Sequence, residues 1–229
     1  MKIAVIQARM GSSRLPGKVL MELAGQPVLQ RVYERARVIE GLDGVVVATS
    51  DLAVDDALAG YCDDRGIPVF RGDEGDVLGR YRRAAEAHGA QAVMRITADC
   101  PFLDPRRSTQ VLQAFEEGDV DYACNIEPPF LPDGLDTEVI STQTLARLDS
   151  EVAEPELREH VTLFVRRNLG HFRTRCLHGS PDWSHHRVTL DTSQDLERLQ
   201  RLAEILEKRD LYGYVEEVVQ ILEDPAHGF

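Results

Sequence analysis

A chain of 229 residues, 43% apolar and 28% charged, can bury a sizeable core, and it contains no run of about 18 apolar residues that could span a bilayer. Its formal net charge of −13 excludes a broad nucleic-acid-binding face, which needs a basic surplus to displace counterions from phosphates. Cys62, Cys100, Cys124 and Cys176 are scattered without a CxxC pair and read as free thiols, and MKIAVIQARMG is too short an apolar run for a signal peptide, so a cytoplasmic location is expected.

The first element is a strand, KIAVIQA, and it runs into the loop ARMGSSRLPGK. The first 20 residues hold Lys2, Arg9, Arg14 and Lys18 and no acid, so positive potential gathers where glycine and serine leave the backbone exposed. PVLQRVYERARVI follows as a helix, with Val28, Leu29, Val32, Tyr33 and Ala36 on one stripe. GVVVAT and IPVF read as strands around a helix in LAVDDALAGYCDDRG, and the helix DVLGRYRRAAEAHG leads to the strand AVMRIT. This alternation predicts an α/β fold, Rossmann-like, with a mostly parallel central sheet covered by helices on both faces.

From about Asn125 the rhythm changes. EPPFLPDG is a proline-rich loop, GLDTEVIS a strand, ELREHVTLFVRRN a helix and HFRTRCL a strand. HHRVTLDTSQDLERLQRLAEILEKR then reads as strand, cap and helix, with a stripe of Leu196, Leu199, Leu202, Ala203 and Leu206. The chain therefore reads as one domain over 1–229: a core over 1–124, a smaller inserted subregion over 125–190, and closing helices over 191–229.

The basic loop is neither of two common phosphate loops. Gly11 and Gly17 are separated by five residues and Lys18 is followed by Val19, so the magnesium-binding hydroxyl of a P-loop is missing; nor is there a GxGxxG triplet. Gly11, Ser12 and Ser13 can still form a backbone anion nest, Arg9 and Arg14 can fork onto phosphate oxygens, and Lys18 can add a point charge. A triphosphate suits that set. Asp99 ends one strand and Asp191 ends another ahead of a Thr192/Ser193 cap; both can ligate a hard cation such as Mg²⁺, while a turn role for Asp99 and a capping role for Asp191 stay open.

ARMGSSRLPGK, VVVATSD, VFRGDEGDVLGRY, RITADCPFLDP and RVTLDTSQDL together resemble the cytidylyltransferases that make CMP-activated sugar acids, the group of CMP-KDO and CMP-sialate synthetases. Within it the chain is most similar to the branch called spore coat polysaccharide biosynthesis protein F. The resemblance implies a nucleotide-diphospho-sugar transferase (GT-A-like) fold, Mg²⁺ as cofactor, and transfer of CMP from CTP to a sugar acid of 2-keto-3-deoxy type with release of pyrophosphate. By position it makes Ala8, Arg9, Gly11, Ser12, Ser13, Arg14 and Lys18 the nucleotide-holding loop, with Arg71 and Asp76 near base and ribose, and Asp99 and Asp191 the metal ligands. Arg9, Lys18 and Asp99 are the expected catalytic groups. Thr97 and Ala98 stand where the CMP-KDO enzymes carry Gln-Gly, so the expected contact of Thr97 with the nucleotide departs from the family pattern.

The acceptor is expected in the inserted subregion, on Asp136, Glu138, Arg158, His160 and Arg187, with His185 and His186 as further donors. The histidines lack partners at ligand spacing, so a His-type metal site is not expected. Phe130, Leu131, Phe164 and Trp183 are the apolar residues available for the homodimer that the resemblance suggests. Two rival readings keep the fold: a glycosyltransferase using a nucleotide sugar, against which no DxD motif follows the middle strand, and a non-catalytic nucleotide-binding subunit.

Overall fold

The computed structural model describes residues 1–229. The apolar run after Met1 forms β1 (Lys2–Gln7), whose Ile3, Ala4, Val5 and Ile6 are wholly buried, as a strand covered on both faces requires. A two-stranded hairpin, β2 (Glu22–Leu23) and β3 (Gln26–Pro27), precedes α1 (Val28–Arg37). β4 (Gly44–Ser50), α2 (Asp56–Asp63), β5 (Val69–Gly72), α3 (Val77–Ala87) and β6 (Ala92–Thr97) complete the predicted alternation. β1 lies between β4 and β6 and parallel to both, with Gln7 opposite Ala48 on one side and Thr97 on the other. Parallel strands end together, so the loops after Gln7, Ser50 and Thr97 meet at one carboxyl edge, the usual ligand edge of such sheets.

The second half extends the same sheet. After α4 (Pro105–Glu117) come β7 (Tyr122–Cys124), β8 (Glu138–Ser141), α5 (Thr142–Glu151) and β9 (Thr174–Cys176), and the seven strands take the order β5-β4-β1-β6-β8-β7-β9. β8 runs antiparallel to both of its neighbours, while the remaining pairs are parallel, so the mostly parallel sheet expected from the sequence is present. Three apolar clusters hold the layers together: one on each face of the sheet, and a third built by α8 (Ser193–Lys208) and α9 (Val215–Glu223) with Leu23, Phe102, Leu131 and Val188.

Two predicted elements differ. ELREHVTLFVRRN is not one helix but two short ones, α6 (Pro155–Glu159) and α7 (Leu163–Arg167), because buried Val161 takes a left-handed φ of 42° and breaks the hydrogen-bond ladder between them. The break presents Glu159 and His160 at the sheet edge. RVTLD is extended but is no strand: its one bridge pairs Arg187 with Asp133. It lies against a loop instead of a strand, with Val188 N–H donating to the Asp133 carbonyl at 2.7 Å and Leu190 N–H to the Asp99 carbonyl at 2.9 Å.

Gly134 makes that crossing possible. Its φ is +108°, and a Cβ there would lie 3.0 Å from Thr189 N and 3.0 Å from the Val188 carbonyl carbon. Gly134→Ala is expected to cost more than about 1 kcal/mol, since neither the conformation nor the space accepts a methyl group. A lower urea midpoint at unchanged slope is the expected result; an unchanged midpoint would contradict it.

Candidate active site

The loop after β1 is held from beneath by a buried acid. Ala8 N–H donates to the Ala48 carbonyl at 3.1 Å, and Met10 N–H to Asp55 Oδ1 at 2.6 Å. Asp55 is wholly buried; its other oxygen accepts from Ser50 N–H at 3.2 Å and from the Ser50 hydroxyl. Burial works against its charge, and these donors together more than offset that and hold its carboxyl below the usual range. The loop closes on itself where Gly17, at φ 74°, donates its N–H to the Met10 carbonyl at 2.9 Å. Ser12 N–H is taken by the Met10 carbonyl at 3.0 Å, so it does not join the anion nest read from the sequence.

This geometry delivers Lys18 to the acids. Its side chain is 10% exposed, and its ammonium donates to Asp99 Oδ2 at 2.7 Å, to the Leu190 carbonyl at 2.8 Å and to Asp191 Oδ1 at 2.9 Å. Asp99 and Asp191 therefore lie within two hydrogen-bond lengths of each other although 92 positions separate them in the chain. The backbone bond from Leu190 to Asp99 fixes that approach. Arg14 reaches Asp191 Oδ1 at 2.9 Å, and Arg187 holds its other oxygen while also binding Asp133 at 3.0 Å and Asp195 at 3.1 Å. Burial raises the Asp191 carboxyl, but Lys18, Arg14 and Arg187 outweigh it and keep the group ionised below the usual range. Two carboxylates and a carbonyl around one cation make an all-oxygen donor set, which fits Mg²⁺.

Above this cradle opens a cavity of about 320 Å³ lined by predicted and unpredicted residues together. Ala8, Arg9, Ser12, Ser13, Arg14, Lys18, Thr97, Asp99, His160 and Asp191 all border it. Arg9 pairs across it with Glu159 at 3.2 Å. Thr97 turns its hydroxyl to the Cys100 sulfur at 3.0 Å.

Other expected residues lie elsewhere. Gly11 is not part of the cavity wall. Arg71 spends its guanidinium on the Ser50 and Leu52 carbonyls, each at 2.9 Å, and on Asp56 at 2.8 Å, tying β5 to the loop after β4. Asp76 caps α3 through Gly79 N–H at 3.0 Å and receives Arg158 Nη2 at 2.6 Å, while Arg158 also grips Asp149 at 2.5 Å. That network joins α3, α5 and α6, so Asp76 and Arg158 serve packing, not the cavity. Arg187 stands behind Asp191, and Glu138 is buried beneath Arg95. Asp136 lines a different recess with Glu127, Asp133 and Arg166. Leu131 belongs to the third apolar cluster and Phe130 and Trp183 pack on it, while Phe164 meets Phe172 edge-on; Phe130, Phe164 and Trp183 stay partly exposed. His185 and His186 do find a partner, Glu223 of α9, with Nε2 of His186 3.2 Å from its carboxylate, a contact that spacing along the chain could not reveal.

Three residues at the site carried no signal in the sequence: Asp55, which looked like part of a helix start, and Gln7 and Arg95, which looked like ordinary strand residues. Asp55 is marked only by its burial and its bonds to Met10 and Ser50, and Gln7 and Arg95 only by their place on the cavity wall.

Moving a nucleotidyl group requires a basic cradle for phosphates facing acid oxygens at one sheet edge, and this α/β chain has the fold and site of that enzyme class. A family model described as cytidylyltransferase matches residues 3–220. The chain belongs to the cytidylyltransferase family, as its motifs suggested. It is 35% identical over 205 residues to spore coat polysaccharide biosynthesis protein SpsF of Bacillus subtilis (strain 168), an alignment covering 86% of this chain and 84% of that one. It is also 35% identical to 8-amino-3,8-dideoxy-manno-octulosonate cytidylyltransferase of Shewanella sediminis, over 49% of this chain and 46% of that one. The solved structure of a cytidylyltransferase from Leptospira borgpetersenii superposes with a TM-score of 0.91 at 29% identity, covering 99% of this chain and 95% of that one.

Asp136 gives this region a pH signature. The residue as a whole is exposed, yet desolvation of its carboxyl by the protein packed around it, and then the charges of Asp133 and Glu138, push it from 3.8 up to about 7. A raised acid holds its proton in the folded chain while the unfolded chain has released it, so stability falls as pH rises from about 4 to 7. Asp136→Asn is expected to match the parent below that window and to be more stable above it, by urea midpoint at each pH. A constant difference across the window would contradict this.

Proposed function

We propose that this cytidylyltransferase moves CMP from CTP to a hydroxyl of a sugar acid of 2-keto-3-deoxy type, with Mg²⁺ as cofactor and pyrophosphate as second product, for the synthesis of a surface polysaccharide. One observation carries the reading: a single ammonium, that of Lys18, is shared by Asp99 and Asp191 beside a basic loop on the nucleotide edge of the sheet. The sugar-acid acceptor is supported by the motif resemblance and by the relative whose name specifies an octulosonate.

In this mechanism Asp99 and Asp191 would hold the ion, which supplies charge neutralisation at the α-phosphate. Arg9, Arg14 and Lys18 bind the β- and γ-phosphates and stabilise the charge that grows on the leaving group. Ser12 and Ser13 border the same space and can donate to phosphate oxygens. The acceptor hydroxyl oxygen forms a bond to the α-phosphorus as the bond from that phosphorus to the bridging oxygen breaks; pyrophosphate leaves with the electron pair. Asp99 accepts the hydroxyl proton, directly or through water. Positioning and electrostatics supply the rate, and no covalent enzyme intermediate is needed.

Lys18→Ala and Asp99→Asn are each expected to lower turnover at least about a hundredfold, the scale of losing one preorganised electrostatic group. The assay is Mg²⁺-dependent pyrophosphate release, crossing the four nucleoside triphosphates with a panel of eight- and nine-carbon keto acids. CTP with a keto acid is the expected productive pair. Near-parental rates in folded variants would remove these residues from the chemistry, and no pyrophosphate from any pair would overturn the reading.

A further inference from the structure

Alternation along β1 and β6 puts Gln7, Arg95 and Thr97 on the sheet face shared by Val5 and Val93, and the β1–β6 register sets Gln7 opposite Thr97. All three border the cavity, beside His160. Arg95 sits deepest. Its cross-strand partner on β8 is Glu138, whose Oε2 receives Arg95 Nη1 at 2.8 Å, while Glu138 Oε1 receives the Tyr122 hydroxyl at 2.5 Å. Glu138 is 1% exposed, so the guanidinium is anchored from behind by a carboxylate that is itself fully engaged.

The other edge of the guanidinium has nothing to bind. Arg95 donates one hydrogen bond only, through Nη1; Nε is buried without a partner, and Nη2 makes no bond. Nε and Nη2 form the edge that meets a carboxylate with two parallel hydrogen bonds. Gln7 Oε1 is likewise buried and unpartnered, an acceptor without a donor. Buried polar atoms left unpaired cost stability, and their gathering on one wall of a ligand cavity marks a built contact surface. Burial opposes the charge on Arg95, but Glu138 and its neighbours outweigh it, so the group stays protonated.

The phosphates are not the natural partner of this wall. Arg9, Arg14 and Lys18 stand on the loop side with Asp99 and Asp191, whereas Arg95 lies in the strand floor two positions before Thr97. We infer that Arg95 is the residue that selects the acceptor, gripping its carboxylate through Nε and Nη2 while Gln7 Oε1 accepts from a hydroxyl of the same molecule. This rests on the nucleotidyl-transfer reading above and deepens it by assigning to one residue the choice of acceptor by its charge.

The test uses the whole protein and the panel acid with the highest turnover, alongside its primary amide, which keeps the shape and loses the charge. Arg95→Gln is expected to raise the KM for the acid by about ten- to a hundredfold, the scale of losing hydrogen bonds to a charged group, with the KM for CTP within about threefold of the parent. The parent should prefer acid to amide by a similar factor, and Arg95→Gln should erase that preference. Because Arg95→Gln leaves Glu138 with the Tyr122 hydroxyl but without its cation, Arg95→Lys serves as the second variant: it keeps the charge against Glu138 but loses the fork, and should still weaken the acid selectively. Retained acid preference in folded Arg95→Gln, an unchanged KM for the acid in folded Arg95→Lys, or equal losses for CTP and acid overturns the assignment while nucleotidyl transfer stands. Turnover with neutral polyols but no acid does the same. No pyrophosphate with any pair fails both.

Discussion

One ammonium group organises this molecule's chemistry. Lys18 sits among Asp99, Asp191 and the Leu190 carbonyl, which come from two distant parts of the chain, the end of β6 and the segment before α8. For that meeting to occur, the loop after β1 must fold back on itself, β6 must end at the same height as β1, and the segment before α8 must cross to the sheet edge. The buried Asp55, the β1–β6 register and the bare Gly134 each secure one of those conditions. Taking the ammonium away would leave two carboxylates facing each other. For a wholly buried pair that costs about 3–5 kcal/mol, and less here because Asp99 keeps 26% of its side chain exposed.

The same logic runs through the rest of the cavity. Arg9 is matched by Glu159, Arg14 by Asp191 and Arg95 by Glu138. A cation held by a carboxylate is already oriented, so a phosphate or carboxylate oxygen that replaces or joins the acid meets a positioned donor instead of a mobile one. Arg187 extends the pattern one layer out: it binds three aspartates and so holds Asp191 in place without touching the cavity.

Much of this was legible in the sequence. Strands such as KIAVIQ and GVVVATS are nearly continuous apolar runs, which only a doubly covered parallel sheet explains, and the loop ARMGSSRLPGK declares its charge and its glycines directly. Asp99 and Asp191 could be named because each follows an apolar run and precedes a turn or cap. What stayed hidden depends on contacts between distant positions. Arg95 meets Glu138 across a strand pair 43 residues apart, β7 is too short at three residues to show a period, and Arg158 read as an acceptor residue because a charged residue on a helix face looks the same whether it binds a ligand or, as here with Asp76, a neighbouring element. The split at Val161 was invisible because its left-handed backbone is imposed by tertiary packing and not by a glycine.

In the proposed mechanism Asp99 and Asp191 would hold one divalent ion against a triphosphate seated on the basic loop. Anomalous diffraction from crystals soaked with Mn²⁺ and CTP tests it most directly. A single strong peak within bonding distance of both carboxylates and a phosphate oxygen, with Lys18 turned toward the phosphates, is the expected result. A peak that touches only one aspartate, or a triphosphate bound away from Arg9, Arg14 and Lys18, would contradict it.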